Sequence, residues 1–575
     1  MFLALFLVVA AAVVFLDDVQ GLQFTVKSIE GTETIDGLTD KQLAIQRWFA
    51  DLTFLREDVN DWKNWGNSVK DLDCDGNTCI RYEIAGLAYA AAVLGLKMPE
   101  YQQVTEAIMY NSIVRMTQQV VWQYVELFDD FKSQSTYPDP VAYKNIMYSG
   151  HLVQMIAMFE AIFGNQTFSI DGWDFMWTDP QTKEVKKIHY TTSLLMDRVY
   201  QQSIAYGNGG VPCEPDSIFV ICNNYPQNGW LLADKMYGTS YTEKSIPSWH
   251  RTLKTHAINR LNKSDELLEN YFKLDYLIKP LGIWEPIGTI GSDMWALSWM
   301  KTWWPALDIR SSLQPAFEHI RDSSCWIVER NESTNSTTAR LHPDDRKQKI
   351  FPFDEMVTTS FYPLIERQFL SLDQSTALAR YTGVLSFFEE SFGQSLDLDG
   401  DGVYDAYQYN SLACSGLDCE SGDYSVWSTA NLLIGMIHPA DDLDFLRSFF
   451  QQRELSSFRK QNNQSRIDSV EYPDVMVSFA RYSTSLVSQR HHNLTVHLKP
   501  GDHAPINRDH LVVFGQIPRD HVDQLVIFVN GVISKRFEVV GESEDSPFVS
   551  IRLQVRGWTQ ATAASSQQIK IEAIY

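Results

Sequence analysis

Basic residues are scarce in this chain, cysteines are few, and only one apolar run is long. Lys and Arg number 48 against 72 Asp and Glu, a formal net charge of −24. Such a deficit of cations cannot neutralise a phosphate backbone, so nucleic acid is excluded as a partner. The surplus of acids serves solubility. After Leu16 no apolar run is long enough to cross a bilayer, which argues against stable membrane insertion. No repeat of fixed period is visible, which argues against a solenoid. Apolar residues make up 44% of the 575 positions and aromatics 13%, ample for a large buried core and enough to exclude global disorder.

The one long apolar run is Met1 to Leu16, followed by Asp17 and Asp18. Its length suits a signal-peptide core better than a bilayer span, with cleavage near Gly21. No basic segment precedes it, so a short membrane anchor is the alternative. Asn-X-Ser/Thr sequons begin at Asn165, Asn262, Asn331, Asn335, Asn463 and Asn493. Together these features predict a glycoprotein that is secreted or lies in the secretory pathway. Cys74 with Cys79, and Cys414 with Cys419, each close a small polar loop and read as local disulfides. Cys325 reads as a lone buried thiol. Cys213 and Cys222 read either as a third disulfide, worth ~2–3 kcal/mol for so short a loop, or as thiols kept for chemistry.

From residue 39 to about 488 the apolar spacing is helical. Many helices joined by modest loops predict an α/α toroid. The texture changes after Arg490, where short runs such as Leu525-Val-Ile-Phe-Val alternate with turns. Asn530-Gly531 between two of them is a hairpin signal. The expected organisation is a signal peptide over 1–21, a mainly α catalytic domain over 22–488, and a small antiparallel β-sandwich over 489–575. Asp397, Asp399, Asp401 and Asp405, with Gly402 at the sixth position, have the oxygen-ligand spacing of a calcium loop. Position twelve is Gln408 rather than a Glu, and a merely acidic loop is the other reading. A bound calcium would be structural.

Chemistry concentrates in two stretches. Gly210 to Asn224 carries Cys213 and Cys222, with Glu214 and Asp216 between them beside an apolar Ile218-Phe-Val-Ile segment. A carboxyl in so apolar a setting has its pKa raised and can act as a general acid. Asn145 to Leu152 puts Asn145, Tyr148 and His151 on an otherwise apolar helix. A core histidine is commonly structural, yet imidazole also suits orienting a hydroxyl or moving a proton. Trp295, Trp299 and Trp303 recur at helical spacing, either as a core stripe or as an aromatic wall for a substrate.

Cys213-Glu-Pro-Asp-Ser-Ile-Phe-Val-Ile-Cys-Asn223 and Asn145-Ile-Met-Tyr-Ser-Gly-His-Leu152 resemble the linalool dehydratase-isomerase family, as does Ile80-Arg-Tyr-Glu-Ile-Ala85. The resemblance runs over roughly residues 40–320. It implies an (α/α)6 barrel that removes or shifts the hydroxyl of an allylic or tertiary terpenoid-type alcohol, with no metal or organic cofactor. It further implies homo-oligomers that share active-site groups between subunits. Matching residues make His151, Cys213, Glu214, Cys222, Tyr82 and Asp51 the catalytic candidates. Met147, Tyr148, Phe219, Asn223 and Trp295 are the substrate-binding candidates. Gly291 stands where the family has a pocket tyrosine, so a substrate other than linalool is expected.

In the expected mechanism Asp51, or a group of the Cys213/Glu214 pair, protonates the hydroxyl that Tyr82 and His151 hold. Cys222 or a neighbouring base then takes a carbon-bound proton. Alternatives are a cyclase that ring-closes the dehydrated species, a carbohydrate-active hydrolase or lyase using Glu214 with Asp216 or Asp51, and, more weakly, a secreted binding protein.

Overall fold

Two helices set the frame. Ile80–Lys97 and Ile146–Phe163 are each 18 residues long and buried along nearly their whole length. A surface helix would keep a polar face; these do not, so they belong to the interior. Ile146–Phe163 is long and apolar enough to cross a membrane, but 94% of it is buried inside the fold, which makes it a core helix.

The computed structural model describes residues 37–54, 80–127, 139–142, 144–179, 181–213, 217–258, 271–273, 275–277, 282–284, 290–323, 326–331, 336–341, 360–369, 381–386, 388–390, 393–396, 406–415, 418–438, 442–451, 465–472, 475–484, 492–501, 508–540, 546–558 and 568–575. Its main helices in chain order are α1 (Asp40–Thr53), α2 (Ile80–Lys97), α3 (Gln103–Met116), α4 (Ile146–Phe163), α5 (Thr192–Ala205), α6 (Asn224–Tyr237), α7 (Tyr241–Thr252), α8 (Ile290–Trp303), α9 (Gln314–Ser323), α10 (Tyr362–Phe369) and α11 (Val426–Ile437). The chain is thus mainly helical, with β-sheets towards its C-terminal end. Packing is centred on α2, which touches α3, α4 and α11, and on α4, which also touches α5 and α6.

Local chemistry explains several boundaries. Thr39 caps α1 in a reciprocal box with Gln42, each side chain taking the other's backbone N–H. Gly164, at φ 68°, ends α4 in the left-handed conformation that glycine adopts without strain. Helix α3 ends at Met116. There the Trp122 indole N–H donates to the Thr117 carbonyl at 3.0 Å. Helix α9 ends at Ser323, and inside the span that reads as helical Trp326–Asn331 pairs antiparallel with Ser336–Leu341. A second unexpected hairpin joins Trp173–Thr178 to Val185–Tyr190. Its first strand alternates inward and outward side chains, the period of a strand rather than a helix.

Towards the C-terminus lie two antiparallel sheets. One has the order Arg466–Val470, Asp509–Pro518, Phe548–Arg556, Phe537–Val540; the other Val475–Thr484, His492–Pro500, Ile569–Ile574, Val526–Val529, Val532–Ser534. Asn530, at φ 51°, and Gly531, at φ 78°, form the turn of the expected hairpin. The sheets begin well before residue 489. Val475-Met-Val-Ser is buried on both faces, so its sequence lacks the alternation that marks a half-exposed strand. Here the sheets meet the helices: Ser478 accepts the Leu38 N–H at 2.6 Å, Glu100 accepts the Tyr482 N–H at 3.1 Å, and Tyr101 bridges Ile467. The first contact lies just before α1; the other two hold the chain just past the C-terminal end of α2, more than about 20 Å along the helix from Tyr82.

Asp397, Asp399, Asp401 and Asp405 fall outside the described residues, as do residues 1–36, Cys74, Cys79, Cys325, Asn262, Asn335 and Asn463. The acidic loop is flanked by antiparallel strands, Gly393–Leu396 and Ala406–Ser415. Gln408 faces Gln394 across that ladder, and their amides are 3.3 Å apart. Among the described residues no group of three or more His, Cys, Asp or Glu is placed to hold a metal. Cys414 and Cys419 are direct ladder partners on neighbouring strands.

Candidate active site

The N-terminal turn of α2 carries Arg81 and Tyr82, and its next two turns carry Gly86 and Tyr89. Spacings of four and seven put Tyr82, Gly86 and Tyr89 on one face. Met147 and His151, four apart, do the same on α4. The two faces meet. A guanidinium N–H of Arg81 donates to the Tyr82 hydroxyl at 3.2 Å, and the same Nη2 lies 3.2 Å from Met147 Sδ. The Arg81 guanidinium also lies over two rings, 4.4 Å from the Tyr82 centroid and 4.3 Å from that of Tyr124. Tyr124 is held in turn by Asn145, whose Oδ1 accepts its O–H at 2.6 Å while its Nδ2 donates to the Pro140 carbonyl at 3.0 Å.

His151 sits between Tyr82, Tyr89 and Tyr225. Its Nδ1 is 2.9 Å from the Tyr89 hydroxyl, and its ring centroid is 3.8 Å from that of Tyr225. Tyr82 meets the imidazole edge-on at 5.5 Å. Nε2 is buried with no hydrogen-bond partner. Burial, and then the Arg81 charge, hold the His151 pKa well below the ordinary imidazole value, so the ring is neutral. Burial first of all pushes the Tyr89 and Tyr225 phenols well above their usual range, although the Trp295 hydrogen bond pulls Tyr225 the other way. Tyr82 is raised too, by desolvation first, although Arg81 pulls the other way. Tyr124 is pushed up to about 12 by the same burial.

Aromatic rings close the other side. Tyr82 stacks on Trp427 of α11 at 5.1 Å and meets Trp295 of α8 edge-on at 5.4 Å. Trp295 and Trp427 are perpendicular at 4.6 Å, and Phe361 stacks on Trp295 at 5.9 Å. The Trp295 indole N–H donates to the Tyr225 hydroxyl at 2.6 Å. Gly86 makes room for Trp427: a Cβ there would stand 3.0 Å from the indole. Arg81, Tyr82, Met147, Cys222, Trp295 and Trp427 keep 5–9% exposure, whereas Ile84 to Leu94 on α2 keep 2% or less. The residual exposure therefore falls on a cation, a phenol, a thioether, a thiol and two indoles, and the space among them is the candidate site.

The loop with the two cysteines is tied to this space. Asn223 clamps it, accepting the Val211 N–H at 2.7 Å and donating to the carbonyls of Val211 at 3.0 Å and Phe219 at 2.8 Å. Pro212 accepts the Ile146 N–H at 3.1 Å, which joins the loop to the start of α4. Gly150 allows the contact, because a Cβ there would stand 3.3 Å from the Cys222 carbonyl oxygen and 3.1 Å from Pro226. Cys213 and Cys222 are both buried, and they are thiols rather than a disulfide.

The structure thus gathers Tyr82, His151, Met147, Cys222 and Trp295 around one space. It separates others from it. Tyr148 donates its O–H to the Met116 carbonyl at 2.8 Å and packs in the core. Asn223 positions the loop through both ends of its amide. Phe219 is half-buried on a short strand paired with Asp275–Leu277. Trp299 and Trp303 are core residues, Trp303 donating to Asn224 at 3.0 Å. Asp51 is exposed on α1. Glu214 and Asp216 lie outside the described residues. Sequence reasoning gave no role to Arg81, Tyr89, Tyr124, Tyr225, Phe361 or Trp427. For Tyr89 a signal existed, in its seven-residue spacing from Tyr82. Trp427 lies far along the chain and carried none.

Two solved structures resemble the chain. A family 76 glycoside hydrolase from a bovine Bacteroides thetaiotaomicron strain aligns at 12% identity over 69% of this chain and 78% of its own, with a TM-score of 0.37. Endoglucanase CelQ from Clostridium thermocellum, complexed with cellotriose, aligns at 8% identity over 93% of this chain and 92% of its own, with a TM-score of 0.33. The model of the linalool dehydratase/isomerase family matches residues 81–354, the span that holds Arg81, Tyr82, Met147, His151, both thiols and Trp295. Over that span, a little under half of its length, the chain is similar to the linalool dehydratase/isomerase family.

Proposed function

We propose that this protein dehydrates or isomerises an allylic or tertiary terpenoid-type alcohol at the space between α2, α4, α8 and α11. The observation that carries the reading is Tyr82, a phenol bonded to a guanidinium and set among indole rings beside a neutral imidazole. The Tyr82 O–H donates its proton to the departing hydroxyl, which leaves as water. Arg81, already on the phenol oxygen, offsets the negative charge that remains there. His151 Nε2 and the Tyr225 hydroxyl orient the alcohol. Trp295, Trp427 and Tyr82 enclose the allylic cation, each face contributing ~0.5–2 kcal/mol once water is excluded. Cys222 or His151 then accepts the proton lost from the neighbouring carbon, and a proton returns to Tyr82. The net change is alcohol to alkene plus water; return of water to another carbon gives the isomer.

The same reading extends to features supported by sequence and family resemblance. The helices form an (α/α)6 barrel, and the C-terminal sheets form a sandwich that braces it. Asp51, exposed on α1, serves a neighbouring subunit of a homo-oligomer. The apolar leader and the sequons direct the chain to the secretory pathway. A structural calcium occupies the Asp397–Asp405 loop.

Incubation with a panel of allylic and tertiary terpenoid alcohols, followed by mass spectrometry, tests the reading. It requires a product lighter by one water, or an isomeric alcohol. Turnover of none of them, or release of sugars from glycans, would refute it.

A further inference from the structure

Among the described residues Arg81 has no evident counter-ion. It is buried, and its Nε and Nη1 find no acceptor among those residues. Its remaining nitrogen meets a phenol and a thioether, both neutral. The groups that favour its charge, after burial has weakened it, are Tyr124, Tyr82 and Cys222, with no carboxylate foremost among them. Glu83 lies two positions along α2, a spacing that turns it towards a different side of the helix. Water could satisfy the orphaned N–H groups, but it would leave the buried charge unneutralised.

The position also matters for the reaction proposed above. Until proton transfer leaves a phenolate on Tyr82 the guanidinium faces no anion, and a bare guanidinium opposes a developing allylic cation, since like charges repel strongly where water is excluded. Yet Arg81 is fixed there by two aromatic faces, a phenol and a thioether. Such a charge becomes compatible with dehydration once an anion lies against it.

We propose that Arg81 is an anion-recognition residue, and that the substrate carries an anionic oxygen in addition to its departing hydroxyl. Nε–H and the Nη1–H groups lie on different edges of the guanidinium, and a carboxylate oxygen would take a charge-assisted hydrogen bond from either. An ionised enol would engage one of them. Arg81 would thereby anchor the substrate at one end while Tyr82 addresses the hydroxyl at the other. The chemical class is an acidic terpenoid alcohol rather than a neutral one. This inference rests on the dehydratase reading for the word substrate, but not for anion binding itself.

The test compares binding, without turnover, of geraniol and geranic acid, which share a carbon skeleton and differ in charge. Calorimetry at pH 7.5 should show the wild type binding geranic acid at least tenfold more tightly. Arg81→Met should abolish that preference, and Arg81→Lys, which keeps a charge but not the guanidinium N–H groups where they stand, should retain only part of it. Equal affinity for the two ligands in the wild type would overturn the proposal. So would a preference unchanged in Arg81→Met, or unchanged in Arg81→Lys should the Met variant fail to fold. Geranic acid preference with no dehydration of any alcohol would refute the dehydratase reading and leave the anion site standing.

Discussion

The Tyr89 hydroxyl lies 2.9 Å from His151 Nδ1, which leaves Nε2 as the ring nitrogen with no partner among the described residues. One hydrogen bond thus sets which way the imidazole is presented. Loss of that bond in Tyr89→Phe should free the ring to rotate. Orphaning a buried polar group costs about 1–3 kcal/mol, so kcat/KM should fall roughly tenfold to a hundredfold. Steady-state kinetics with Tyr89→Phe check this; unchanged kinetics would remove His151 orientation from the mechanism.

Protonation of His151 makes a second prediction, about stability. Its folded pKa is depressed, by burial and then by Arg81. Above the unfolded value of ~6.5 both states are neutral and its contribution is fully present. As pH falls below that value the unfolded chain takes up a proton that the folded one resists, and stability is lost. Melting temperatures of wild type and His151→Gln from pH 8 to 5 should therefore converge as pH falls. Parallel curves would show that the ring titrates equally in both states.

The aromatic enclosure can be weakened without emptying it. Trp427→Phe keeps an apolar ring against Gly86 but replaces one of the two indole faces with the weaker phenyl face. With a cation–π contribution of ~0.5–2 kcal/mol at stake, kcat should fall about three- to thirtyfold with little change in KM. A rise in KM with kcat intact would make Trp427 a binding surface only.

Thiol chemistry gives a fourth check. Cys213 and Cys222 are buried thiols, even though the sequence is equally compatible with a bridge between them. Alkylation of the denatured, unreduced protein followed by peptide mapping should find both modified. Cys414 and Cys419, as cross-strand partners, should instead emerge as a disulfide. A Cys213–Cys222 bridged peptide would exclude Cys222 as a base.

Much of this was legible in the sequence, for definable reasons. Met147 and His151 stand out because they are four apart on a helix otherwise apolar. Trp295 was visible as part of a stripe, though only the fold distinguishes it from Trp299 and Trp303, which face the core. Tyr148 and Asn223 misled because polar side chains in an apolar setting look functional. In fact each answers a backbone group that would otherwise be orphaned, as buried chain requires. Trp427 was invisible because its partner Tyr82 is more than three hundred residues away in the chain. Arg81 was quoted as part of a motif, but its importance lies in what it lacks, and a missing counter-ion cannot be seen before the neighbours are placed. The strand at Val475 escaped because burial on both faces erases the alternation that identifies a strand, and the strand at Arg466 because its register shifts between Ile467 and Ser469.

The central claim is that Tyr82, supported by Arg81, delivers the proton that releases water. Wild type and Tyr82→Phe should be compared for alkene formation from the best alcohol in the panel, with melting temperature measured alongside. Phe keeps the stacking on Trp427 and removes only the hydroxyl. General-acid catalysis contributes about a hundredfold to ten-thousandfold, so kcat should fall by at least a hundredfold while the protein stays folded. Alkene formation by Tyr82→Phe at the wild-type rate would contradict the account.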